Sequence, residues 1–558
     1  MLLNGCTPYR KEDTEKYDKM RWWAGLTFGD LIDKAADIYP EKEAFVDRRS
    51  RLTFAQMRER VNRFAIRLIE LGVKPTERVL LQIPNWNEFV CAYFGIQKAG
   101  AIPVSLIDRY RQYEINHLAR LTDATHWVVA QRYKKVYYPP IIEDVLRDNP
   151  QIRNVILARP EREAPFMSLE NLIEEAGVTD EKVEMLAARR PDPMQVGHMA
   201  PTGGTTGLPK LVPHTHNNYL CRVEYSARRW ELSTEDICLA VAPVGHDLIF
   251  ISLVCATIFA FGKLVMLDSS HPQDICETIQ SEKITATVWV PTLAQRLINF
   301  EGLDEYDLST FKKMYCSGGA SSPGLIRTMI DRLGCIYLNG YGGTEGMLTL
   351  TGLNDDLDSV CETVGRPCCP YDTYKVVDEN GKRLPANKSG ELVVKGPTMF
   401  TGYYMAPEEN AIVFDGDGFF KTGDIARIDE TGRIKITGRI KEMVNRGGES
   451  ISATEIENLI SEHPDVAIVA VIPMPDPEME EKVCAFIQPK PQKVLSFEEV
   501  ISFLKAKKAS VLQFPEHIEF VKQMPLTKAG KLDKKALKKA IMAKIRSGFK
   551  TSDLKQAK

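Results

Sequence analysis

Residues 78–104 read RVLLQIPNWNEFVCAYFGIQKAGAIPV. Arg78–Ile83 is a short apolar run of buried-strand type, Trp86–Ala99 has helical periodicity, and Ile102-Pro103-Val104 is extended again. A strand, a crossover helix and a second strand in so few residues predict a parallel sheet covered by helices. The same rhythm extends outward in both directions. Thr27–Ile38 and Phe54–Leu71 read as amphipathic helices. The apolar segment Leu248–Phe261 reads as a helix before a strand at Lys263–Leu267, and the helix Pro272–Glu282 precedes a strand at Ala286–Val290. From about Gly381 the texture changes to short alternating segments with turns: Gly390-Glu-Leu-Val-Val-Lys, Gly418-Phe-Phe-Lys-Thr-Gly-Asp and Gly432-Arg-Ile-Lys-Ile-Thr-Gly. These predict a small antiparallel or barrel-like part. Helix and strand patterns then restart at Ala453–Glu462, Val466–Ile472 and Phe497–Lys507. The expected fold is α/β, with a large N-terminal domain at 1–438 and a small α+β C-terminal domain at 439–558.

Composition narrows the class. The chain has 558 residues, 44% hydrophobic and 26% charged, which excludes a disordered chain, a collagen-like fibre or a small disulfide scaffold. Lys+Arg 72 against Asp+Glu 75 leaves −3, so no global charge points to nucleic acid or an anionic membrane. Twelve cysteines without C-x-x-C spacing suit reduced thiols. Met1–Cys6 is too short for a signal peptide, and Leu248–Phe261 falls short of the ~20 residues of a membrane span. The expectation is a cytoplasmic enzyme with no membrane span.

The sharpest motif is Thr202-Gly-Gly-Thr-Thr-Gly-Leu-Pro-Lys210. Glycines let backbone N–H groups approach phosphate oxygens, hydroxyls add donors, and Lys210 supplies charge. It is not the G-x-x-x-x-G-K-[ST] loop, and in isolation a flexible turn explains it equally well. Further motifs follow in order: Asn339-Gly-Tyr-Gly-Gly-Thr-Glu345, Lys421-Thr-Gly-Asp424, Gly438-Arg-Ile-Lys-Glu442 with Asn445-Arg-Gly-Gly-Glu449, and Pro525-Leu-Thr-Lys-Ala-Gly-Lys531. Singly, Thr-Gly-Asp is a turn and Thr-Glu a helix start; their number and order weigh against coincidence.

In that order they resemble the AMP-forming adenylating enzymes: acyl-CoA synthetases, luciferases and peptide-synthetase adenylation domains. Trp23–Phe28, Gly402-Tyr-Tyr and Asn445–Glu449 look most like the aryl-acid branch, typified by 2,3-dihydroxybenzoate–AMP ligases. The resemblance implies that ATP and a small carboxylic acid give acyl-AMP and pyrophosphate, with transfer to CoA or to a carrier protein in trans. It also implies Mg²⁺, a mobile C-terminal domain, and admits a homodimer. Thr202, Gly203, Gly204, Thr205, Thr206 and Lys210 would hold the outer phosphates. Gly318, Gly319, Ala320, Asn339, Gly340, Tyr341 and Gly342 would surround adenine. Thr344 would donate to the α-phosphate, and Glu345 is a hard oxygen ligand suited to Mg²⁺. Asp424 and Arg439 would hold the ribose, Lys441 is the expected hinge, and Gly447 and Gly448 would line the thiol tunnel. Lys531 would meet the charge of the phosphoryl transition state, while Lys534, Lys535, Lys538 and Lys539 read as solvated charges in a tail with 12 Lys+Arg after residue 520.

His246, Asp247, Gly319 and Gly343 are the expected acid pocket. The aryl-acid branch usually carries Asn where Asp247 stands, and an ionised Asp can only accept. A carboxylate beside an incoming carboxylate repels it unless protonated His246 or a structural donor compensates. So paired, Asp247 offers the ring nothing. The expectation is a small cyclic acid, aromatic or alicyclic, with unsubstituted rings preferred over 2,3-dihydroxybenzoate.

Overall fold

In the computed structural model, which describes residues 3–202, 208–446, 449–507, 509–528 and 530–546, Arg78–Gln82 and Ile102–Ser105 are neighbouring parallel strands, with Leu80 opposite Val104. The helix Asn87–Lys98 connects them. It is buried on nearly every side, as an all-round apolar helix must be. These strands belong to a seven-stranded sheet that is parallel except for its edge hairpin, Val196–Pro201 with Leu211–Thr215. A second sheet of nine strands has a parallel centre at Lys313–Cys316, Ala286–Trp289, Ile237–Ala240 and Lys263–Met266. One apolar cluster holds residues of both sheets together with Phe28, Phe64, Phe89 and Tyr93. The helices Phe28–Ile38, Phe54–Glu70 and Asn87–Lys98 are therefore a layer shared between the sheets. Thr27 starts the first with a capping box to Asp30, and Thr53 starts the second with one to Gln56.

The β-rich part is a four-stranded antiparallel sheet, Thr373–Val377, Gly390–Lys395, Phe420–Ile428 and Ile434–Arg439. A tight turn, Ile440–Glu442, leads to a five-stranded sheet whose longest pair is Val466–Asp476 with Glu480–Pro489. This last unit has its own apolar core around Val444, Ile456, Val471, Val483 and Leu504. Among the described residues no helix is long and apolar enough to cross a membrane.

One element departs from its sequence pattern. Leu248–Phe261 is not a plain α-helix: Asp247–Ile249 passes into a π-helical segment, Phe250–Cys255, before Ala256–Phe259 resumes. Such widened turns concentrate at functional sites, and this one begins beside His246.

Candidate active site

Carboxyl ends of parallel strands and the hairpins after them build the site. Thr202 N–H donates to the Lys210 carbonyl at 2.8 Å, closing the neck of the phosphate-type loop directly beyond the Pro201–Leu211 pair. Gly203, Gly204, Thr205 and Thr206 lie outside the described residues, as do Gly447 and Gly448. The Lys210 ammonium pairs with Glu409 and lies 4.7 Å above the Tyr403 ring.

Ile336–Gly342 carries Asn339, Gly340, Tyr341 and Gly342, and the turn beyond it holds Gly343, Thr344 and Glu345. The Thr344 carbonyl accepts from His214 Nε2 at 2.7 Å, while Asn218 donates to His214 Nδ1. The backbone behind the proposed α-phosphate donor is thus held by a histidine that burial pushes down to about 4. The Glu345 Oε1 accepts from the Tyr403 hydroxyl at 2.7 Å. Asn339 is turned into the fold: its NH₂ donates to the carbonyls of Val360 and Thr363 at 3.1 and 3.0 Å.

Asp424 and Arg439 are directly paired residues of adjacent strands, which explains why their side chains meet. Asp424 Oδ1 accepts from Arg439 Nε at 2.7 Å and Oδ2 from the Tyr341 hydroxyl at 2.5 Å. Each oxygen keeps a second lone pair for a diol.

On the acid side, Asp247 is sealed. Its Oδ1 accepts from the Tyr219 hydroxyl at 2.8 Å and its Oδ2 from Arg222 Nη1 at 2.9 Å, with both side chains of the ion pair at 2–3% exposure. Arg222 Nη2 also donates to the Gly343 carbonyl at 2.8 Å. Of the two compensators expected for Asp247, the structural donor is correct and protonated His246 is not. Burial, with Lys531 nearby, holds His246 down to about 4, so it is neutral at pH 7. His246 Nδ1 instead accepts from the Leu248 N–H at the helix start.

Lys531 comes to this same place from the C-terminal unit. Gly318 takes a φ of 84°, and a Cβ on it would sit 3.4 Å from Lys531 Cε. Gly319 and Ala320 follow it on the exposed wall. Burial and the like charge of Arg439 lower the Lys531 pKa, while Glu345 and Asp424 oppose that shift. The loop is tied down by Arg109 Nη1 donating to the Lys528 carbonyl, Thr292 Oγ1 donating to the Gly530 carbonyl, both at 3.0 Å, and an ion pair between Lys528 and Glu114. Lys441 is exposed in the linking turn.

Reading Lys534 as a solvated charge is corrected here. It is largely buried and bridges Glu442, beside Lys441, at 2.8 Å and Glu457 at 2.9 Å. Sequence reasoning also missed Tyr219, Arg222, Tyr403, Glu409, Arg109 and Glu114. Only Tyr403 had a local signal, the Gly402-Tyr-Tyr segment; the others sit in ordinary-looking helices and loops.

This architecture, two helix-covered parallel sheets with a basic C-terminal loop inserted among an Asp, a Glu and a His, is that of an adenylating ligase. The chain belongs to the AMP-binding enzyme family: the family's model matches residues 32–404, and that of the AMP-binding enzyme C-terminal domain matches 455–531. It is 32% identical to a 2,3-dihydroxybenzoate-AMP ligase of Bacillus subtilis (strain 168), covering 98% of this chain and 100% of that one. It is 33% identical to a salicylyl-CoA synthase / salicylate adenylyltransferase of Streptomyces sp, covering 98% and 99%. Among solved structures, the anthranilate CoA ligase AuaEII in complex with anthranoyl-AMP superposes with a TM-score of 0.86 at 23% identity, covering 94% of this chain and 98% of that one, a likeness of fold.

Proposed function

We propose that this chain activates an aromatic carboxylic acid with ATP to acyl-AMP and pyrophosphate and then passes the acyl group to a thiol, with CoA the first acceptor. The observation that carries this reading is Lys531 lodged against Gly318 and feeling His246, Glu345 and Asp424. There its ammonium faces the charge that grows on phosphorus as the acid's carboxylate displaces pyrophosphate. Neutral His246 adds no second charge, so Lys531 attracts the incoming carboxylate. The Asp424–Arg439–Tyr341 cluster would hold the ribose, and Thr202, Lys210 and the loop between them the outer phosphates. Glu345 fits Mg²⁺, which neutralises polyphosphate charge when bound, because a single free carboxylate oxygen plus phosphate oxygens and water suits that ion. After adenylation, residues 439–558 would turn about Lys441 and bring Gly447 and Gly448 to the thiol path.

The relatives named for 2,3-dihydroxybenzoate and salicylate support an aryl acid, and the sealing of Asp247 supports a pocket that does not read ring hydroxyls through this side chain. A second reading, transfer to a carrier protein in trans, is favoured by a Mycobacterium tuberculosis relative named a salicyl-AMP ligase / salicyl-S-ArCP synthetase, 31% identical over 87% of this chain. Pyrophosphate release across benzoate, salicylate, 2,3-dihydroxybenzoate, cyclohexanecarboxylate and linear acids, with and without CoA, tests both. A preference for linear acids sinks the acid assignment. Acyl-AMP that accumulates without turning over on CoA sinks the acceptor.

A further inference from the structure

Tyr403 links two parts of the site that sequence reading kept separate. Its hydroxyl donates to Glu345 Oε1, and its ring supports the Lys210 ammonium at the end of the phosphate-type loop. Tyr403 is only 6% exposed, and its hydroxyl is the donor because an ionised carboxylate can only accept. Its backbone is fixed from both sides: Tyr403 N–H donates to Asn410 Oδ1 at 2.7 Å, and Asn410 Nδ2 donates back to the Tyr403 carbonyl at 2.9 Å. Three residues earlier, Phe400 N–H donates to the Glu345 carbonyl at 2.8 Å. The same short segment therefore grips both the main chain and the side chain of Glu345.

The consequence is a fixed orientation for the carboxylate. With Oε1 taken by Tyr403, Oε2 accepts no hydrogen bond among the described residues. It has room because residue 343 is Gly: a Cβ there would come within 2.7 Å of Oε2. A hydrogen bond on one oxygen that leaves the other open is how proteins aim carboxylate ligands. The Lys210 contact adds a second effect. An ammonium over an aromatic face is attracted to it, so the Tyr403 ring helps hold Lys210, whose Nζ is paired with Glu409.

We propose that Tyr403 is a positioning residue that aims Glu345 Oε2 at the Mg²⁺ of Mg·ATP. This rests on the adenylating function proposed above. The group would act on metal-dependent nucleotide binding and leave the acid and the thiol untouched.

The test compares the full chain with Tyr403→Phe, which keeps the ring and removes the hydroxyl. ATP binding is measured by calorimetry over a Mg²⁺ titration and set beside pyrophosphate release and the KM for the acid. The expected result is a rise of about tenfold in the Mg²⁺ needed for half-maximal ATP binding, with metal-free ATP affinity and acid KM unchanged. In a Glu345→Gln background, Tyr403→Phe should add nothing. An unshifted Mg²⁺ titration, an equal loss of metal-free affinity, or full additivity with Glu345→Gln overturns the role. A parent enzyme that releases no pyrophosphate with any acid fails the proposed function instead, so the two failures are distinguishable.

Discussion

Asp247 and Arg222 are a buried charge pair beside His246, at the proposed acid subsite. Removing one partner of such a pair leaves an uncompensated charge in low dielectric and costs about 3–5 kcal/mol. Arg222→Met should therefore lower the Tm sharply, whereas Arg222→Met with Asp247→Asn should recover much of the loss; a double-mutant cycle by thermal unfolding checks the coupling, and simple additivity refutes it. Lys531 stands in the opposite situation, a charge held for use. Lys531→Ala should slow acyl-AMP formation by about a hundredfold or more, while thioester formation from supplied acyl-AMP stays within a few-fold of the parent, since the proposed role needs the ammonium only at the phosphoryl step. Measuring the half-reactions separately decides this, and equal loss in both would remove the assigned role. Of these residues, Lys531 was legible from its motif. Arg222 was not, because its helix, His216–Arg229, looks ordinary and its partner is on another element.

Elements are where the two halves of the site are kept together. The loop 527–531 is anchored to the N-terminal region by Glu114 on the helix Gln112–Thr122, by Arg109 just before it, and by Thr292 on the helix Pro291–Ile298. On the domain turn proposed above, the Glu114–Lys528 contact would join the two bodies only while Lys531 is in place. Glu114→Gln should therefore reduce the adenylation rate several-fold, in keeping with a half-exposed pair worth about 1 kcal/mol, and leave thioester formation unchanged or faster. Stopped-flow comparison of the two steps tests it; slowing of both alike would mean that Glu114 serves stability alone. The helix and strand alternation that positions these loops could be read from periodicity, often to within a residue, as for Pro272–Glu282. The π-helical turn at Phe250–Cys255 could not, because an unbroken apolar run is compatible with any helical winding and the choice is made by packing against both sheets.

At the scale of the whole molecule, burial sets the pH response. Desolvation pushes His126, His214 and His246 down to about 4, and His198 and His216 to about 3. With folded values below the ordinary value of about 6.5, these side chains are neutral in both states above that pH and their contribution is complete. Below it the unfolded chain takes up protons that the folded chain refuses, so stability falls from about pH 6.5 towards 4, by up to about 1.4 kcal/mol per pH unit for each histidine. Calorimetric unfolding between pH 7.5 and 4.5 should show a falling Tm and net proton uptake; a flat Tm across that window would contradict the neutral buried state. What the sequence determined by itself was everything carried by neighbouring residues: the strand–helix–strand rhythm, the order of the motifs and so the family, and the candidate ligands Glu345, Asp424 and Lys531. Only the tertiary structure decided which groups meet across the chain. Tyr403 reaches Glu345 from 58 positions away and Lys528 reaches Glu114 from 414. Asp247 finds Arg222 in place of His246. Charge state and hydrogen-bond partner depend on burial and on long-range packing, and neither is a property of a local stretch of sequence.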